Sequence, residues 1–209
     1  CVRTNLGCPK KRAEKEIIQY MRLVIASDIH GSAKYCAQLL ECYDKEQAER
    51  LVLLGDILYH GPRNDLPDQY APKTVIEQLN ERKDEIICVR GNCDTEVDQM
   101  VLKFSVMSGQ GVIFADGHTF VMAHGHKLNG PDRPALCDKN VLLCGHTHVP
   151  KAEWQPVDPE DETKGTYLYL NPGSVSIPKE NSWHGYILYE NGTFTMKDFE
   201  GNIKKIINL

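Results

Sequence analysis

From residue 22 onward, short runs dense in Leu, Val and Ile alternate with stretches in which apolar side chains return every three or four positions. The first pattern predicts buried strands and the second amphipathic helices. Residues 22–27 (RLVIAS) read as a strand. A helix follows over 32–46, where Tyr35, Leu39, Leu40 and Tyr43 share one face and Ser32 can cap the first turn with its hydroxyl. Residues 51–54 form the second strand. The Gly- and Pro-marked loop HGPRNDLPDQY then leads to a helix that begins near Pro72 and buries Val75, Ile76 and Leu79. Residues 86–89 make a third strand, and 91–99 read as a loop. Beyond it the helical spacing fades, and 112–115, 120–123, 141–144, 167–170, 186–189 and 194–196 are short runs of strand type. Strands joined by crossover helices, then a β-rich second half, predict an α/β fold of two packed sheets with helices outside.

Residues 1–20 stand outside this pattern. They are polar and basic, and Met21 directly precedes the first strand. Met21 is therefore the expected natural start, and 1–20 an expected leader, tag or over-extended gene start; a helix docking through Ile17, Ile18 and Tyr20 is the alternative. Residues 21–209 suffice for one domain with a sizeable core. A formal net charge of −5 gives no global field to attract nucleic acid or an anionic membrane, so any phosphate must be held by a local site. No apolar run approaches the roughly 20 residues that span a bilayer, and the chain reads as cytoplasmic. The 8 cysteines are scattered, and Cys88 and Cys144 sit inside apolar runs where a reduced thiol packs as a small hydrophobe.

Metal-type residues follow the strands with regularity: RLVIAS leads to DIH, LVLLG to D, IICVR to GNCD, FVMA to HGH and VLLCG to HTH. In open α/β sheets ligands bind beyond the carboxyl ends of the strands, so these separate loops can converge on one cleft. Asp28 and His30 are two apart, as are His146 and His148, and in extended backbone each pair would point to one side. Asp56 by itself could merely cap a turn. Two pairs, a lone Asp, an Asn and a further His, each following its own strand, point instead to a metal centre of Asp28, His30, Asp56, Asn92, His124, His146 and His148. Glycines at 31, 55, 91, 125 and 145 would let the chain turn beside them.

Formal charge narrows the chemistry. Two divalent ions bring about +4 and the two carboxylates remove about 2, so the centre attracts anions. Four imidazoles favour a transition ion over calcium or magnesium.

The motifs DxH at 28–30, GD at 55–56, GNCD at 91–94, HGH at 124–126 and GHTH at 145–148 resemble the ordered set of the calcineurin-like metallophosphoesterases. Within that superfamily, GDILYHGPRN, GNCDTEVDQM and NPGSVSIPK resemble the bacterial YfcE-type phosphodiesterases, from about Met21 to the C-terminal strands. The resemblance implies a four-layer αββα sandwich of two mixed β-sheets flanked by helices. It implies one metal ion on Asp28, His30, Asp56 and His148 and a second on Asp56, Asn92, His124 and His146, with Asp56 bridging. Two divalent transition-metal ions, Mn2+ foremost and Fe, Zn, Ni or Mg as alternatives, would share a hydroxide that attacks a phosphodiester in line. Asn92, Cys93 and Asp94 are the expected catalytic loop. Most members carry His where this chain has Cys93, and a thiol is the poorer proton donor, which leaves the general acid open. Asp94 would orient that loop or cap its turn.

Other candidates are weaker. Arg63 suits a substrate phosphate, His60 and His126 could support the ligands, and NPGS at 171–174 is sufficient as turn chemistry. His118 and His184 are expected to have no catalytic part. The expected partner is a small phosphodiester; no basic, aromatic-rich strip marks a nucleic-acid partner, and exposed sheet edges leave room for a homo-oligomer, dimer or tetramer. A phosphomonoesterase is the first alternative. A non-catalytic scaffold, like the retromer subunit that shares this fold, is the second.

Overall fold

The strand runs of the sequence pair into two mixed sheets. The computed structural model describes residues 21–209, so the expectations for 1–20 lie outside the described residues. The first sheet takes β1 (Arg22–Ala26), β2 (Arg50–Leu53), β3 (Ile86–Cys88), and later β9 (Gly185–Glu190), β10 (Thr193–Asp198) and β11 (Ile203–Asn208). The second takes β4 (Gln110–Ala115), β5 (His118–Ala123), β6 (Val141–Leu143), β7 (Lys151–Pro156) and β8 (Thr166–Asn171). Their orders are β11-β10-β9-β1-β2-β3 and β4-β5-β6-β8-β7. Helices α1 (Ala33–Glu46) and α2 (Pro72–Asn80) carry the chain between the parallel strands β1, β2 and β3. In the second sheet β5, β6 and β8 are parallel, so six parallel strands, three from each sheet, deliver their carboxyl ends to the site.

Side chains of a strand alternate between faces, and the alternation here divides the interior into three cores. Val24 and Ala26 of β1 join Leu51, Leu53, Cys36, Leu39, Tyr43, Val75 and Leu79 under the helices. Leu23 and Ile25 face the other way, meeting Phe120, Met122, Leu143, Leu168 and Leu170 between the sheets. Phe120 stacks edge-on to Tyr189 at 4.8 Å, a geometry that contributes about 1 kcal/mol beyond simple burial. The third core, with Val121, Leu142, Tyr167 and Tyr169, lies on the outer face of the second sheet under Leu128, Leu136 and Val157. The two sheets and the helical layer follow the expectation. The fourth layer, however, is irregular chain, because 125–140 forms no helix.

Other departures have local causes. The expected loop at 91–99 contains α3 (Glu96–Val101), opened by a capping box in which Thr95 N donates to Asp98 Oδ2 at 2.6 Å. No residue of α3 is buried, and Val97, Met100 and Val101, though at helical spacing, are exposed and span too few residues to mark a helix in the sequence. Strands β7 and β11 went unpredicted because they are the polar edges of their sheets. Ser32 caps α1 as expected, accepting from Tyr35 N at 3.4 Å, whereas Ile76 is only half-buried. No helix among the described residues is long and apolar enough to cross a membrane.

Candidate metal centre

Beyond the strand ends, the ladders continue into the loops and set their heights. Asp28 N donates to Gly55 O at 3.1 Å and His30 N to Asp56 O at 2.9 Å, which locks the β1 and β2 loops together. Gly145 N donates to His124 O at 2.9 Å and does the same for β5 and β6. The paired ligands are not presented by extended backbone, as their spacing suggested. Asp28, His30, Asp56, His146 and His148 all adopt left-handed φ, from 48° to 69°. For residues with a Cβ this costs on the order of 1 kcal/mol each, and it persists only where the surroundings enforce it. Gly91 and Gly145 serve close approach rather than turning: a Cβ on Gly91 would overlap Asp56 Oδ1, and one on Gly145 would overlap Ser27 Oγ.

Asp28, His30, Asp56, His124 and His148 are buried and converge. Three of the imidazoles are oriented in one way: Nδ1 of His30 donates to Tyr59 O at 2.7 Å, that of His124 to Leu54 O at 2.7 Å, and that of His148 to Ile177 O at 2.8 Å. A carbonyl only accepts, so Nδ1 carries a proton and Nε2 is the nitrogen left facing inward, its lone pair free in the neutral ring to take a cation. His30 Nε2 and His148 Nε2 stand 3.2 Å apart. Two lone pairs at that distance repel unless a proton or a cation lies between them. Asp28 Oδ1 is buried with no hydrogen-bond partner, yet His148 Nε2 and His30 Nε2 lie 3.3 and 3.5 Å from it. Asp56 Oδ2 lies between the two sides, 3.3 Å from His124 Nε2 and 3.7 Å from His30 Nε2. Donor atoms of Asp28, His30 and His148 thus gather in one group, and those of Asp28, Asp56 and His124 in another. An orphaned carboxylate oxygen among convergent lone pairs fits divalent cations.

The remaining expected ligands stand at the rim. Exposed Asn92 brings Oδ1 within 3.1 Å of His124 Nε2. The His146 ring lies 5.1 Å from that of His124, centroid to centroid, and its backbone N donates to Asp28 Oδ2 at 3.0 Å. Asp28 therefore approaches both donor groups, where the resemblance assigned it to one ion.

Charges in the centre agree with a cation site. Burial alone would raise the Asp28 carboxyl, but His148, His30 and His124 outweigh it and hold it below the usual carboxylate range. Asp56 is lowered likewise, against burial, by His124. Burial depresses His124, yet Asp56 and Asp28 prevail and raise it to about 9. Metal-free protein at pH 7 therefore keeps a proton on His124 that an incoming ion displaces. Below pH 9 the apparent metal affinity is expected to fall as pH falls, about tenfold per unit for each displaced proton. Calorimetric Mn2+ titrations at pH 7, in buffers of different ionisation enthalpy, should show net proton release; heats independent of buffer would contradict it.

Several residues support the centre from behind. Asp94, expected among the catalytic residues, does not face the cleft: buried, it accepts Asp56 N at 2.8 Å, Gly91 N at 2.7 Å and Ile57 N at 2.9 Å. It ties the Asp56 loop to the Asn92 loop. The NPGS turn does more than turn, since Asn171 Nδ2 donates to Gly145 O at 2.7 Å and Ser174 Oγ to Asp28 O at 2.8 Å. Lys179, overlooked in the sequence, lines the metal cleft together with Arg63 and Cys93. The Cys93 thiol is pushed up to about 12 by burial and by Asp56. His126 stands beside His124 and His146, with centroids at 5.5 and 6.0 Å. His60 packs instead against Tyr59 and Tyr70, and His184 stacks on Tyr35 at 3.9 Å.

Comparison with known proteins agrees with this fold. The profile of the calcineurin-like phosphoesterase superfamily domain matches residues 21–193. Phosphodiesterase YfcE of Escherichia coli K12 is 42% identical over 176 residues, covering 84% of this chain and 91% of the relative. The solved structure of YfcE, a phosphoesterase from E. coli, superposes with a TM-score of 0.81 at 40% identity, over 90% of this chain and 99% of that one. Vacuolar protein sorting 29 from Cryptosporidium parvum shares the fold at 15% identity, with a TM-score of 0.58 over 91% and 99% of the two chains.

Proposed function

The chain belongs to the calcineurin-like phosphoesterase superfamily, and from that premise we propose that it is a phosphodiesterase whose seven donor residues would hold two divalent transition-metal ions, Mn2+ foremost, with Asp56 offering its carboxylate to both. The observation that carries this reading is the position of Asp56 Oδ2 between His30 and His124, beside the orphaned Asp28 Oδ1. Such ions supply a more acidic water and neutralise charge on the phosphoryl oxygens. The protein's own side chains do the rest. Backbone carbonyls fix the tautomers of His30, His124 and His148. Arg63 and Lys179 line the same cleft, where their charges can orient the free phosphoryl oxygens. A small diester is the expected substrate. The complete donor set weighs against a scaffold, because buried carboxylates and convergent lone pairs cost stability without a cation. Buried thiols at Cys36, Cys42, Cys88 and Cys144 support a cytoplasmic location.

Metal-stripped protein titrated with Mn2+, Fe2+, Zn2+ and Mg2+ against bis(4-nitrophenyl) phosphate and 4-nitrophenyl phosphate tests the reading. Activity is expected only after metal addition, with the diester preferred. Full activity in stripped protein, or none with any ion, would refute it. Cys93 bears on the preference: its thiol sits at the cleft and is a poorer proton donor than an imidazolium, which favours good leaving groups or protonation by water or the substrate itself. Cys93→His supplies a proton donor there, and the ratio of kcat/KM for diester over monoester is expected to change by about tenfold or more. An unmoved ratio would show that the thiol has no part in leaving-group chemistry.

A further inference from the structure

Two clefts meet at the metal centre. The smaller, about 380 Å³, holds His30, Asp56, His146 and His148 with Arg63 and Lys179. The larger, about 640 Å³, begins at Asn92 and His124 and runs away between Arg90, Lys127 and Arg133. Asn92 lines both, so a group bound at the ions would have one substituent directed into the larger cleft. Its size is that of a small-molecule site.

The lining of that cleft is cationic in a chain whose net charge is −5. Asp132, 3.0 Å from Lys127, is the one acid that lines this cleft; Arg133 also borders the neighbouring cleft, where Tyr167 and Asp158 interact with it. These cations are placed by the fold rather than scattered on it. Arg90 Nε donates to Asp94 O at 3.1 Å, which anchors the guanidinium to the loop that carries Asn92. Gln110 Nε2 donates to Asp132 O at 2.9 Å, and Arg133 N to Gly130 O at 3.1 Å, so the segment bearing Lys127 and Arg133 is tied to β4 and folded on itself. Glu96 stands 3.6 Å from Arg90 but is itself largely exposed. An apolar arm would gain little from three cations. A phosphoryl group, with several acceptor oxygens and up to two negative charges, matches two guanidinium forks and an ammonium.

We propose that the Arg90, Lys127 and Arg133 cleft is a subsite for a second phosphoryl group, carried on one arm of a small phosphodiester. The proposal rests on the phosphodiesterase reading and narrows it: the substrate is asymmetric, and one of its arms is anionic.

Two probes that differ by one phosphate test it: thymidine 5′-(4-nitrophenyl phosphate) and its 3′-phosphorylated form, assayed with Mn2+-loaded parent, Lys127→Ala and Arg133→Ala. The parent is expected to favour the phosphorylated probe in kcat/KM by at least about tenfold. Each variant should reduce that preference several-fold, and the double variant should abolish it. Calorimetric binding of thymidine 3′,5′-bisphosphate against thymidine 5′-phosphate should show the same gap and the same loss. If both probes are cleaved alike, or the preference survives in the double variant, the subsite is overturned while the phosphodiesterase reading stands. If neither probe is cleaved but the bisphosphate binds more tightly through Lys127 and Arg133, the subsite stands and the hydrolytic reading falls. A tetrathymidylate 4-nitrophenyl ester cleaved more than tenfold faster than the phosphorylated probe would overturn the small-molecule arm in favour of a strand.

Discussion

Replacement of Asp56 by Asn is expected to lower diester hydrolysis by roughly a thousandfold or more while leaving the fold intact. Asp56 Oδ1 accepts Cys93 N at 2.8 Å, and an asparagine would turn its carbonyl to keep that bond. Its amide nitrogen would then occupy the place of Oδ2, facing His30 and His124 without a lone pair to offer. Both donor groups lose their shared oxygen at once. Loss of about 4 kcal/mol of charge stabilisation corresponds to that fold-change. The variant should also hold fewer metal ions per chain than the parent, with the fold retained because the substitution is isosteric. Hydrolysis rates with measured metal content decide it; a variant as active as the parent would remove Asp56 from its bridging part.

The largest effect on stability is expected at Asp94, which touches no substrate. Its two oxygens receive three backbone N–H groups from two loops in a buried position. In Asp94→Asn one oxygen can keep Asp56 N and Gly91 N, but the amide must then face Ile57 N–H, donor against donor. The loss should be about 3 kcal/mol, lowering Tm by roughly 6–12 °C. Because Asp56 and Asn92 sit on the loops that Asp94 joins, metal affinity should also fall by about ten- to a hundredfold. Thermal melts of the metal-free protein and metal titrations measure the two effects separately. A variant with parental Tm and parental affinity would show that the loops need no such tie.

Much of this architecture is legible from short apolar runs, since strands buried on both faces have few polar residues to confuse the pattern. The edges are not: β7 and β11 have little buried surface, and α3 has no buried residue and is only six residues long, so hydrophobic period is a weak guide to them. Residues that the fold gathers at the candidate centre were singled out on partly wrong grounds. The two-residue spacing of Asp28 and His30 suggested an extended strand tip, whereas both residues are left-handed and are held so by the neighbouring loop. Asp94 was expected to orient only its own loop and Ser174 only to turn the chain, because their importance lies in which backbone groups they meet, and those come from loops distant in sequence. Arg90, Lys127 and Arg133 carried no motif at all, and only folding brings them to one cleft.

The account depends on seven side chains meeting around a pair of cations. Crystals of the protein grown with Mn2+, with anomalous diffraction recorded at the manganese edge, test this most directly. Two peaks are predicted in each chain, one among Asp28, His30, Asp56 and His148 and one among Asp56, Asn92, His124 and His146. A single peak, or peaks away from the Asp56 carboxylate, would contradict it.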